Sequence, residues 1–77
     1  MQSATGICGR YRYDANVWAT ASGLRWLATI RLNGRALEHL RGEFADDECA
    51  VCAELIHITV SHWVRRREHA LGFREEA

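Results

Sequence analysis

Residues 11–22 and 24–32 alternate apolar and polar side chains in phase, with only a Ser22-Gly23 step between them. A period of two sends successive side chains to opposite faces of a strand, and a short step containing glycine supplies the positive φ of a tight turn. The pattern predicts a β-hairpin and assigns every side chain in it to a face. With that turn, Ala21 stands opposite Leu24, Ala19 opposite Trp26, Val17 opposite Ala28, Ala15 opposite Ile30 and Tyr13 opposite Leu32. Small residues meet large ones, as a packed layer requires. The other face pairs Asp14 with Arg31, Asn16 with Thr29 and Thr20 with Arg25, and sets Trp18 against Leu27.

Asn33-Gly34 is a strong hairpin signal and opens a third strand over residues 35–44. A two-residue turn puts Leu37, His39 and Arg41 on the core face. A three-residue turn with a glycine bulge puts Ala36, Leu40 and Phe44 there instead, with Glu38 among them. The second register is preferred, because Phe44 then packs where the next element begins.

Asp46-Asp47-Glu48 reads as a helix start, since aspartate caps free amides and acids complement the positive end of the helix dipole. No Gly, Pro or Asn interrupts the chain from there to Arg67, where Arg65-Arg66-Arg67 complements the negative end, and Gly72 lies beyond. At about 100° per residue, Cys49, Cys52, Ala53, Ile56, Val60 and Trp63 share one side, and Asp47, Glu54, His57, Ser61, Arg65 and Glu68 the opposite one. Residues 56–61 also alternate with period two, but nothing between Cys49 and Ile56 supplies the turn a fourth strand needs. The expected fold is α+β: a three-stranded antiparallel meander with one long C-terminal helix packed on one face (βββα). Residues 11–70 form this single domain, with residues 1–10 and 71–77 as flexible termini. Trp26, Ile30, Ile56 and Trp63 are the expected large core residues.

A chain of 77 residues holds one small domain. No apolar run approaches the roughly 18 residues of a membrane span, and residues 1–9 lack the basic start and apolar stretch of a secretory signal. Three cysteines are too few, and odd in number, for a secreted disulfide scaffold, which points to a reducing cytoplasm. Charge is balanced overall but divided along the chain. Residues 1–41 carry Arg10, Arg12, Arg25, Arg31, Arg35 and Arg41 against Asp14 and Glu38, whereas residues 42–64 carry Glu43, Asp46, Asp47, Glu48 and Glu54 with no Lys or Arg.

Several residue groups have the composition of a chemical site. Cys49 and Cys52, with His57 and His62 following, contain zinc-ligand types. On one helix the two histidines point away from the cysteines and cannot close a tetrahedral site, so the cysteines read as small core residues. A redox Cys-x-x-Cys calls for a parallel βαβ setting, which a meander does not provide. Glu54, His57 and Ser61 resemble parts of a hydrolase triad, without the oxyanion hole or pocket that catalysis needs. No catalytic, cofactor-binding or metal residue follows, and an enzyme is not expected. Trp18 and Leu27, on the sheet face that one helix leaves bare and accompanied by Arg12, Arg25 and Arg31, form the candidate partner-binding patch.

The order of meander strands and one long helix, with Phe44-Ala45-Asp46-Asp47-Glu48 leading into Ala50 and Trp63 late in the helix, resembles small uncharacterised bacterial βββα proteins. At the level of architecture it is similar to HicB-like antitoxins. The sequence thus leads to a small cytoplasmic binding domain that pairs with itself through the sheet as a homodimer. It implies no membrane, small-molecule or cofactor partner. The alternatives are a nucleic-acid-binding or antitoxin-like module using Trp18 and the arginines, and a thiol or metal site at Cys49 and Cys52.

Overall fold

The structure, a computed structural model, describes residues 2–45 and 51–76. Four antiparallel strands, β1 (Gln2–Cys8), β2 (Tyr11–Thr20), β3 (Gly23–Leu32) and β4 (Arg35–Phe44), follow one another across the sheet in the order β1-β2-β3-β4. Helix α1 (Cys52–Glu76) comes last and packs against β1 and β2. The α+β meander with one C-terminal helix is as the sequence predicts, but the sheet has four strands, not three. The additional strand lies within residues 1–10, expected to be flexible, and pairs along β2 from Gln2↔Val17 to Cys8↔Tyr11. An unpaired β2 would leave a row of backbone donors and acceptors open, and β1 satisfies them. The proposed helix start at Asp46-Asp47-Glu48, and Cys49, fall outside the described residues. The helix does not stop near Arg67 but continues through Gly72 to Glu76.

Both hairpin faces are as the alternation assigns them, yet the register differs by two residues. The β2–β3 turn is Ala21-Ser22, so Thr20 faces Gly23, Val17 faces Trp26 and Tyr13 faces Ile30. A slide of two preserves the side-chain alternation, so period alone does not distinguish the two registers. Gly23 serves in another way. Its φ is 152°, and a Cβ there would collide with the Phe44 carbonyl oxygen of β4. Thr20 Oγ1 donates to the Gly23 carbonyl at 3.2 Å and closes the turn locally.

At the next turn, Asn33 (φ 54°) and Gly34 (φ 79°) both adopt left-handed backbone, the signature of a two-residue hairpin turn. Arg31 then faces Ala36, but Ile30 faces Glu38, so Leu37 is an extra residue in β4. This bulge brings Leu40 and Phe44 onto the core face with Glu38, as expected, while Ala36 remains outside. Exposed Glu38 accepts a hydrogen bond from the His39 amide at 2.9 Å.

The core is built from the two central strands and a single helix stripe. Tyr11, Tyr13, Ala15 and Val17 of β2, Trp26, Ala28 and Ile30 of β3, and Cys52, Ile56 and Val60 of α1 are buried. The helical residues recur at intervals of four, one above another on the face turned to the sheet. Ala53, expected on that side, is exposed, and Trp63 is only half-buried. Trp63 lies at the rim, edge-on to Tyr11 with ring centroids 6.1 Å apart and under the Arg67 guanidinium.

The edge strands take the overhang of the central aromatic rings. Tyr13 lies over Gly6, where a Cβ would sit 2.5 Å from the ring, and Trp26 lies over Gly42, where a Cβ would sit 2.7 Å from Nε1. Trp26 also stacks on Phe44, with ring centroids 6.0 Å apart and planes 17° from parallel. Gly42→Ala should therefore force the indole aside and cost about 1–3 kcal/mol. Trp26→Ala should cost about 3–5 kcal/mol and unfold so small a domain. Urea titrations test both, and an unchanged midpoint for Gly42→Ala would place the indole elsewhere.

A polar cluster fastens the far part of α1 to the β1–β2 turn. Glu68 Oε2 accepts from Arg10 at 3.0 Å and from the Tyr11 hydroxyl at 2.9 Å, and Arg67 Nε donates to that hydroxyl at 3.2 Å. The Arg10 guanidinium first, and the Tyr11 hydroxyl second, hold the Glu68 carboxyl below its usual value. A carboxyl lowered on folding stabilises the fold above its unfolded value, about 4.3, and ceases to do so as pH falls through the lower folded value. The stability difference between the unmodified protein and Glu68→Gln should thus be present at neutral pH and vanish in acid. Denaturant midpoints at pH 7 and pH 3 read this directly.

Candidate binding surfaces

The outer face of the sheet has no second layer among the described residues. Charged and polar side chains tile most of it. Arg25 pairs with Glu43 across β3–β4 at 2.9 Å, Arg31 pairs diagonally with Asp14 at 3.2 Å, and Thr29 meets His39 at 3.1 Å. Such cross-strand pairs make a solvated sheet face self-consistent. The exception is one corner. Trp18 stands opposite Arg25 and diagonal to Leu27, both apolar residues are half-buried, and with Arg41 and Glu43 they line a hollow of about 480 Å³.

The five residues singled out from the sequence therefore divide. Trp18, Leu27 and Arg25 come together, whereas Arg12 and Arg31 face each other six residues farther along β2, about 20 Å away at roughly 3.3 Å per residue. Arg41, opposite Leu27, takes the position at the hollow that Arg12 and Arg31 do not. It belongs to β4, whose register the sequence left open.

A second cluster lies between β1 and α1, on the helix flank expected to face solvent. The Tyr13 hydroxyl and His57 Nδ1 share a hydrogen bond at 2.9 Å. Cys8 Sγ lies 4.0 Å from that same nitrogen and 3.4 Å from Ser61 Oγ. Burial, and after it the nearby Cys8, push the Tyr13 phenol above its usual value. Of the triad-like row on the helix, His57 and Ser61 thus meet Cys8 and Tyr13, although His57, like Glu54, remains exposed. Glu54 joins Tyr13, His57, Ala4, Ala53 and Ile58 around a groove of about 430 Å³ along the β1 edge. The missing partner in the sequence reading is Cys8, which becomes visible only when residues 2–8 are recognised as a strand.

The two described cysteines are free thiols in different settings. Cys8 is half-buried beside the histidine, and Cys52 is buried against the sheet. His57 is engaged by Tyr13 and His62 is exposed, so neither approaches Cys52. Among the described residues no three His, Cys, Asp or Glu side chains converge as a metal ion requires, and no helix is long and apolar enough to cross a membrane. Compared with protein-family models, curated proteins and solved structures, the chain matches none.

Proposed function

We propose that this chain is a small cytoplasmic binding domain that pairs with a second copy of itself through the free edge of β1. The observation that carries the reading is the difference between the two edges of the sheet. Edge strands invite pairing with another chain, and charges, bulges and proline blunt that tendency. Strand β4 contains Arg35, Glu38, Arg41 and Glu43 and is interrupted by the bulge at Leu37. Strand β1, Gln-Ser-Ala-Thr-Gly-Ile-Cys, contains no charge and no proline, and pairs with β2 without a register shift.

Apolar side chains flank that edge on both layers. Ile7 on the strand is 59% exposed and Ile58 on the helix is 49% exposed. Antiparallel pairing of two β1 edges joins the sheets into one and brings the two helices together on the same face, where each Ile58 leaves water. A symmetric contact of this kind is the commonest form of soluble oligomer. Free thiols at Cys8 and Cys52 fit a reducing compartment. The hollow at Trp18 favours a second reading, a platform that stacks a nucleic-acid base on Trp18 with Arg25 and Arg41 at the phosphates.

Sedimentation at micromolar concentration tests the pairing. The unmodified protein should be a dimer whose stability hardly responds to salt. Ile7→Lys, and independently Thr5→Lys, should give monomers with unchanged circular dichroism. Trp18→Glu should leave the dimer intact, and its conversion to monomer would transfer the contact to the outer face. A monomer that binds RNA or DNA with a steep salt dependence would support the platform instead.

A further inference from the structure

We propose that Cys8 is a nucleophilic thiol that forms mixed disulfides with small-molecule disulfides, with His57 accepting its proton. Reactive cysteines are those with a base or cation in reach and a path from solvent, and the Cys8 cluster has both. His57 Nδ1 lies 4.0 Å from Sγ, and the Ser61 hydroxyl, 3.4 Å away, can donate to a sulfur that has become negative. The thiol is half-buried, and the turn residues that follow it, Gly9 and Arg10, are exposed. A small reagent can therefore approach from the turn at this end of the sheet.

The step balances without a further oxidant. The Cys8 proton passes to His57 Nδ1, and the thiolate attacks one sulfur of the disulfide. A new S–S bond forms to Cys8 as the old one breaks. The released thiolate takes the proton back from the imidazolium and leaves as a thiol. Cys8 is oxidised, and the departing half of the reagent is reduced.

Tyr13 competes for the same nitrogen. Its hydroxyl lies 2.9 Å from Nδ1, and in the tautomer that leaves Nδ1 without a proton it donates there and occupies the lone pair that must receive the Cys8 proton. Tyr13 is thus a restraint on the thiol, and its removal has the opposite effect from removal of the histidine. Cys52 provides an internal comparison, because it is buried on the sheet-facing side of the helix.

The experiment exposes the reduced full-length protein to excess oxidised glutathione at neutral pH and maps the product by peptide mass spectrometry. One glutathione should add at Cys8 while Cys52 remains unmodified. His57→Gln should slow addition by about tenfold or more, as loss of a proton acceptor does. Tyr13→Phe keeps the ring over Gly6 and should accelerate addition severalfold. Loosening of the fold would instead speed the reaction in both variants. Addition mapped only to Cys49, addition at Cys8 no faster than at Cys52, or an undiminished rate in His57→Gln would each overturn the proposal. If His57→Gln does not fold, Tyr13→Phe decides, and a rate equal to or below that of the unmodified protein refutes it.

Discussion

Two aromatic rings resting on two glycines set the cross-section of this domain. Tyr13 and Trp26 stand on the central strands and are too broad to pack vertically under a single helix, so they lie down across Gly6 and Gly42 on the outer strands. That arrangement lets ten buried residues, none of them from β1 or β4, form a continuous core. It also holds the edge strands close to the sheet. The result is a two-layer slab, 49 × 22 × 15 Å, with a radius of gyration of 13.8 Å where a compact chain of this length has about 11–12 Å. A slab of this kind has much surface for its volume, and one of its broad faces has no covering layer among the described residues.

The faces of β2 and β3 were legible because period two is strong evidence when a dozen residues obey it. Their register was not: turning at Ala21-Ser22 sets Gly23 against Phe44, a residue of the following strand that the pattern of the first hairpin does not bring in. Likewise the bulge at Leu37 reconciles two local demands, a tight Asn33-Gly34 turn and apolar Leu40 and Phe44 inside, which the sequence presents as alternatives. Strand β1 escaped notice for a plainer reason. Ala4 and Gly6 are disfavoured in strands, no clear apolar–polar alternation runs through the segment, and the open side of β2 holds it extended. Gly72 carried too much weight as a stop signal, because one glycine costs a helix only about 1 kcal/mol.

The omission of β1 had the largest effect on the functional reading. Without it, His57, Ser61 and Glu68 appear to be the solvated side of an amphipathic helix. With it, that side becomes a seam: Cys8 and Tyr13 meet His57 and Ser61 at one level, and Arg10 and Tyr11 meet Glu68 a few turns on. The candidate chemistry and the polar attachment of the helix share this one flank. The helix lies over β1 and β2, with these polar partners along its flank, and Leu40 and Phe44 on β4 remain only half-buried.

The extra residue in β4 has a consequence for how large an assembly of such sheets can grow. A sheet with two receptive edges can add copies head to tail without limit and produce fibres. Here the kink at Leu37 and the charges around it disfavour one edge, so the strand-to-strand pairing proposed above would use β1 on both sides. A contact that consumes the same edge of each partner leaves nothing to extend. In the pairing proposed above growth would end at two, and the inserted leucine, with the charges beside it, is what would separate a closed pair from an open filament.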